Sequence, residues 1–289
     1  MKKIILSSMA FFFHGAHAGQ DKPFPYSEIK AMTSFFKSAL DPQPEIGSFG
    51  RVISMPDSVH VECPTQNEKL GVIVAFGQSN SANQAEYKYT SQELEGVVNF
   101  YDGRCYQAKS PLLGATGLRG EWISKTAKNL IDNDVYNKVV VMSSGIGGTP
   151  IIRWARDNDL NQMFLNELQK ISEKYVVTDM IWHQGETDKK YTPTEAYENM
   201  FLSMKETITE AGVNAPIFIS IASVCGSSFS YPNKVTMAQE NLVKKNNIYL
   251  GVNTDKLISP DMRFDGCHFD KAGQEIAARV MAESIKNTK

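Results

Sequence analysis

Gly77-Gln78-Ser79-Asn80-Ser81 follows an apolar run at residues 70–76 that reads as a β-strand. A serine at a strand-to-helix turn can stand exposed at the top of a sheet. Its own backbone N–H then points where an oxyanion would form. The same position also suits a helix N-cap. Near the C-terminus, Asp265 stands three residues before His268 in a loop that opens a helix. That spacing lets the carboxylate fold back onto the imidazole, fix its tautomer and stabilise its charged form. The plainer alternative is an aspartate cap beside a surface histidine. Of the five histidines, His268 alone combines an acid at that spacing with a loop at a helix start. Ser79, His268 and Asp265 are thus the parts of a nucleophile, a general base and an orienting acid.

Two more segments follow apolar runs. Residues 143–149, Ser-Ser-Gly-Ile-Gly-Gly-Thr, form a glycine-rich turn where backbone N–H groups can approach a ligand. The turn lacks both the phosphate-loop and the dinucleotide glycine spacing. Residues 182–188, Trp-His-Gln-Gly-Glu-Thr-Asp, contain Gln184, whose amide could donate to an oxyanion or, as a loop glutamine, bond to backbone. Trp154 and Trp182 read as wall or core residues, although aromatic platforms also suit sugar rings. Arg153 reads first as a surface or salt-bridge arginine and second as a substrate contact.

The elements that must position these residues alternate. Apolar runs at 70–76, 97–101, 139–142, 176–182 and 217–221 are mostly continuous, as in strands buried on both faces of a parallel sheet. Helical patterns at 121–132, 160–174, 193–211 and 271–286 separate several of them, and 248–252 suits one more strand. The pattern predicts an α/β class of fold with three layers, α/β/α, around a mostly parallel sheet. Right-handed crossovers then bring the loops after the strands to one edge, where ligands bind.

The chain has 289 residues, 42% hydrophobic and 21% charged, which argues against disorder and against a membrane bundle. Lys2 and Lys3, an apolar stretch at 4–13 and Ala16-His17-Ala18 read as a signal peptide over 1–18. Its removal takes two lysines and no acid, moving the formal charge from −2 to −4. With no basic run, a nucleic-acid partner is not expected. No other stretch approaches ~20 apolar residues, so membrane insertion is not expected either. The product should be exported, to a periplasm or further. Residues 19–69 read as an N-terminal extension with an amphipathic helix at 26–40.

Four cysteines, Cys63, Cys105, Cys225 and Cys267, show no zinc spacing, and an even count in an exported protein suggests disulfides. Cys225 lies just past the strand at 217–221 and Cys267 sits between Asp265 and His268, so the two loops should be neighbours at one sheet edge. Cys63 and Cys105 pair by elimination. Buried free thiols are the alternative.

Taken in chain order, Gly77-Gln78-Ser79-Asn80, Gly147-Gly148-Thr149, Gln184-Gly185-Glu186-Thr187-Asp188 and Asp265-Gly266-Cys267-His268-Phe269 resemble the SGNH hydrolases. The branch is that of sialate O-acetylesterases and acetylxylan esterases, and the resemblance covers roughly residues 70–289. It implies a flavodoxin-like α/β/α domain over 70–289, with Ser79 as nucleophile, His268 as base and Asp265 as orienter. It implies an oxyanion hole at the N–H groups of Ser79 and Gly147. The general pattern has an asparagine in the third block; this chain has none there, and Gln184 is the expected substitute. Glu186 and Asp188 would orient the loop or bind a sugar hydroxyl. The expected reaction removes O-acetyl groups from a carbohydrate, sialic acid or polysaccharide, through an acyl-enzyme and without metal or organic cofactor. The alternatives are a broad esterase or thioesterase on acyl or lipid esters, and a carbohydrate-binding protein that lost its chemistry.

Overall fold

Two short strands, β1 (Glu45–Ile46) and β2 (Val52–Ser54), pair as an antiparallel hairpin apart from the main sheet. β3 (His60–Val61), β4 (Leu70–Gly77), β5 (Val97–Tyr101) and β6 (Arg104–Gln107) follow. Then come α1 (Ile123–Asp132), β7 (Lys138–Ser143), α2 (Asp159–Ser172), β8 (Asp179–His183), α3 (Thr194–Glu210) and β9 (Ile217–Ile221). The chain ends with α4 (Lys234–Leu242), β10 (Ile248–Asn253), the single-turn α5 (Thr254–Leu257) and α6 (Lys271–Lys286). The computed structural model describes residues 43–226 and 231–289. The expected signal peptide and the helix expected at 26–40 lie outside the described residues.

The main sheet runs β10-β9-β8-β4-β7-β5-β6-β3. Every pairing from β10 to β5 is parallel, and only β6 and β3 join antiparallel at one edge. The three-layer, mostly parallel architecture is the one expected. β4 shows why its sequence is a continuous apolar run. Val72, Val74 and Phe76 face a core shared with α2, α3 and α4, while Ile73 and Ala75 face a second core shared with α1 and α6. Both faces exclude water, so no polar alternation survives.

The antiparallel edge was not expected. Its strands are short, and β6 buries only Cys105 among exposed or half-buried residues, so four residues establish no period. Asp102 and Gly103 adopt φ 48° and 74° between β5 and β6, the twist of a two-residue hairpin. The helix α4 was also not expected; its start is set by an Asn233 capping box, with Thr236 bonding back to the Asn233 N–H. The boundary expected at residue 70 falls inside the structure. Residues from Pro44 onward belong to one compact unit, β3 is part of the sheet, and Cys63 is bridged to Cys105 on β6, with Cα atoms 5.1 Å apart.

At the end of β4 the chain must turn beside β8. Gly77 has φ +127°, and a Cβ there would lie 2.1 Å from the His183 carbonyl oxygen. That neighbour is backbone in a central strand and has nowhere to move. Gly77→Ala should therefore destabilise the protein by at least about 3 kcal/mol. Urea unfolding monitored by circular dichroism checks this, and a change below ~1 kcal/mol would mean the strand ends are looser than described.

Candidate active site

The turn after β4 is held from below. Gln78 N–H donates to the His183 carbonyl at 2.9 Å, and residues Ser79–Ser81 make one 3₁₀ turn closed by Ala82 N–H to Ser79 O at 3.0 Å. The Ser79 side chain caps no helix. Its hydroxyl has no hydrogen-bond partner among the described residues, and it opens onto a cavity of about 460 Å³. Asn80 fastens the turn to two other segments, its amide donating to Glu186 Oε1 at 2.9 Å and to the Cys267 carbonyl at 3.3 Å.

His268 lines the same cavity. Its Nδ1 is 2.6 Å from Asp265 Oδ2, which leaves Nε2 as the free ring nitrogen. Asp265 Oδ1 accepts the backbone N–H groups of Cys267 at 3.0 Å and His268 at 2.8 Å. Burial tends to raise the Asp265 carboxyl, but these donors and the imidazole outweigh it and hold the group below the usual carboxylate range. It therefore stays ionised near neutrality. Cys225 and Cys267 form the expected bridge, with Cα atoms 4.0 Å apart, and both line the cavity. Arg263 adds a second tie: its guanidinium donates to the carbonyls of Cys267, one end of the bridge, at 2.9 Å and of Val224, the neighbour of the other end, at 3.3 Å.

Gly147 lies beside Ser79, since a Cβ on it would sit 3.7 Å from the Ser79 Cβ. Its N–H donates to the Thr116 hydroxyl at 2.8 Å. A ligand oxygen reaching this N–H takes the place of that hydroxyl. Thr116 comes from the loop between β6 and α1 and carries no motif that sequence reading could single out.

Gln184 does not reach the cavity. It is fully buried, and its amide nitrogen is shared among the Thr149 carbonyl at 3.1 Å, Asp188 Oδ2 and Gln78 Oε1 at 3.2 Å, while Tyr197 donates to its oxygen at 2.9 Å. The expectation that Gln184 faces an oxyanion is corrected here: every polar atom of its side chain is already engaged behind the turn. Gln78, the residue before the serine, takes its place at the cavity. Its Oε1 accepts from Gln184, from Gly185 N–H at 3.3 Å and from Thr187 N–H at 3.2 Å. Three donors on the oxygen fix the amide's orientation, and its nitrogen has no partner among the described residues. Gln84 also lines the cavity.

The three tentative substrate contacts separate. Asp188 is a scaffold residue, accepting from Ile151 N–H at 2.8 Å and from the Thr192 hydroxyl at 2.6 Å. Arg153 is a salt-bridge arginine, forked onto Asp159, and does not line the cavity. Glu186 does line it, but its carboxylate is held by His183 at 3.0 Å and by Asn80. Burial tends to raise Glu186, while the charge and hydrogen bond of His183 and the Asn80 amide outweigh it and hold the carboxyl at about 2.

Phe49 forms part of the opposite wall. It sits in the turn between β1 and β2 with φ 60° and ψ 14°, a left-handed conformation costing a bulky residue about 1–3 kcal/mol. The turn is held onto the domain by Val52 N–H to the Ala115 carbonyl at 2.9 Å, Gly114 N–H to the Val52 carbonyl at 2.8 Å, and the Arg51–Glu167 ion pair at 3.1 Å. Phe49 as a whole is 39% exposed.

A mostly parallel three-layer sheet, with this serine after its central strand and an Asp-x-x-His loop before its last helix, is the architecture of an SGNH-type esterase. The sequence matches the model of the family described as carbohydrate esterase, sialic acid-specific acetylesterase, over residues 69–287, and the chain belongs to that family. It is a carbohydrate esterase, a carboxylic ester hydrolase. Solved structures share the fold. A protein from Arabidopsis thaliana is 18% identical with a TM-score of 0.62, covering 76% of this chain and 99% of that one. NanS is 14% identical with a TM-score of 0.56, covering 76% and 98%. Est24, a carbohydrate acetylesterase from Sinorhizobium meliloti, is 11% identical with a TM-score of 0.50, covering 76% and 100%. No curated relative matches the chain.

Because the folded Glu186 carboxyl lies below its ordinary value of 4.5, its contribution to stability is complete above that value and is lost as the pH falls toward about 2. Wild type should exceed Glu186→Gln by up to about 3 kcal/mol near neutrality, and the gap should close on acidification. Urea unfolding of both proteins across that range measures it; a gap independent of pH would assign the glutamate no ionised role.

Proposed function

We propose that the protein is an exported serine esterase that removes O-acetyl groups from a carbohydrate through an acyl-enzyme. The observation that carries this reading is the opening of Ser79, the Asp265-bound His268 and the Gly147 turn onto one cavity. Neutral His268 takes the Ser79 proton on Nε2 as Oγ attacks the acetyl carbonyl. The oxyanion accepts from the N–H groups of Ser79 and Gly147, the latter released by Thr116. The side-chain donor we assign is the Gln78 amide, with Gln184 as the residue that holds it. The tetrahedral intermediate collapses, the C–O bond to the sugar breaks, and His268 gives its proton to the departing alkoxide. Water then loses a proton to His268, attacks the acetyl-serine and releases acetate.

An acyl-chain or lipid substrate is disfavoured by the lining. Phe49 and Ile146 are its only large apolar side chains among the described residues, so no long apolar groove adjoins Ser79. Export accords with two disulfides, one of them anchored between Asp265 and His268.

Hydrolysis of p-nitrophenyl acetate tests the reading. Ser79→Ala should lose at least ~10³-fold in turnover while remaining folded, because the members of such a triad act as a unit. Near-normal turnover in the folded variant would remove Ser79 from the mechanism. Gln78→Ala should lower kcat by roughly 10²-fold with little change in KM. An effect confined to KM would instead make Gln78 a residue that binds the sugar.

A further inference from the structure

Phe49 lines not one cavity but two. On its other side lies a groove of about 690 Å³ between the β1–β2 turn and the outer face of α2. We infer that this groove binds the continuing chain of a neutral acetylated polysaccharide whose ester-bearing sugar sits at Ser79, with Phe49 as the platform between the two. The inference rests on the esterase reading and adds the substrate class to it.

The groove has the chemistry of sugar recognition. Along α2 and onto its C-cap, Gln162, Asn166, Gln169 and Glu173 recur at helical spacing and form one exposed stripe. From Gln162 to Glu173 the stripe runs about 16 Å, room for more than one pyranose ring. The side-chain amides of Asn166 and Gln169 have no partner among the described residues, so their donors and acceptors are available to hydroxyls. The exposed Phe49 ring offers a flat apolar face for the C–H side of a sugar. Its left-handed backbone is a local cost that the packing of the turn sustains, as often occurs where a side chain must be aimed.

Charge decides against an acidic glycan. Among the described residues, the cavity at Ser79 is lined by no lysine or arginine. In the groove, Arg51 is paired with Glu167 at 3.1 Å and Lys170 with Asp102 at 2.8 Å. Asp159 is forked onto Arg153, and Glu173 is the charge left over. A carboxylate-bearing sugar would find no free counter-ion here and one free carboxylate. A neutral chain loses nothing on either count. The hairpin that supplies Phe49 lies before residue 69, where the family match begins.

The test is acetate release by the intact protein from O-acetylated xylo-oligosaccharides of increasing length, from O-acetylated sialic acid, and from p-nitrophenyl acetate. We expect kcat/KM to rise from the acetylated monomer to longer oligomers and to exceed that for acetylated sialic acid. Phe49→Gly, which suits the left-handed backbone, should lower the ratio of kcat/KM on long oligomers to that on p-nitrophenyl acetate about tenfold, and Phe49→Tyr should restore it. The double variant Asn166→Ala/Gln169→Ala, on an exposed face, should lower the same ratio through KM. A ratio unmoved by both variants, or a preference for acetylated sialic acid, overturns the groove while leaving the esterase reading intact. Failure of the intact protein to hydrolyse p-nitrophenyl acetate overturns that reading first and the groove with it.

Discussion

At the carboxyl end of β4 the backbone of Gly77 lies against the carbonyl of His183, and nothing larger than hydrogen fits between them. That approach brings the turn after β4 down onto the loop after β8. Gln78 is then within reach of the Gly185 and Thr187 N–H groups, and Asn80 within reach of Glu186. The serine stands between these two pinned neighbours. Its position is set by the contacts of the residues on either side, and its own hydroxyl has no hydrogen-bond partner among the described residues and faces the cavity.

The second half of the site is fixed by different means. The loop with Asp265 and His268 is short and lies outside the sheet, so no strand ladder orders it. A disulfide, a buried arginine and the Asn80 amide tie Cys267 to its surroundings on several sides. The carboxylate of Asp265 organises the loop internally, accepting two backbone N–H groups with one oxygen and the imidazole with the other. Sheet geometry thus positions Ser79, while cross-links position His268, and Asn80 joins the two.

What was legible in the sequence follows from how local each determinant is. The strand of β4 could be read because both of its faces are buried and seven consecutive residues say so. Asp265 and His268 could be read because both partners share one loop. The Cys225–Cys267 pairing could be read because parallel topology collects those loops at one edge. Gln184 was misplaced because its orientation depends not only on Asp188 in its own loop but on Thr149, Gln78 and Tyr197, which come from three other segments. Thr116 and Phe49 had no local signal at all. Thr116 reaches Gly147 across 31 positions of chain, and Phe49 reaches the cavity only because its hairpin docks on residues 114–116. The small strands β3 and β6 escaped notice because neither is long enough to show a period.

β3 has a consequence of its own. A sheet ending at β6 would present a row of unpaired backbone donors and acceptors, ready to template a strand from another molecule. Two residues, His60 and Val61, cover part of that row, and the Cys63–Cys105 bridge keeps them from peeling away. A strand so short offers little ladder in turn, and His60 and Glu62 place polar groups along it. The edge is closed by a piece too small to become a new edge, which disfavours edge-to-edge pairing between molecules at β6.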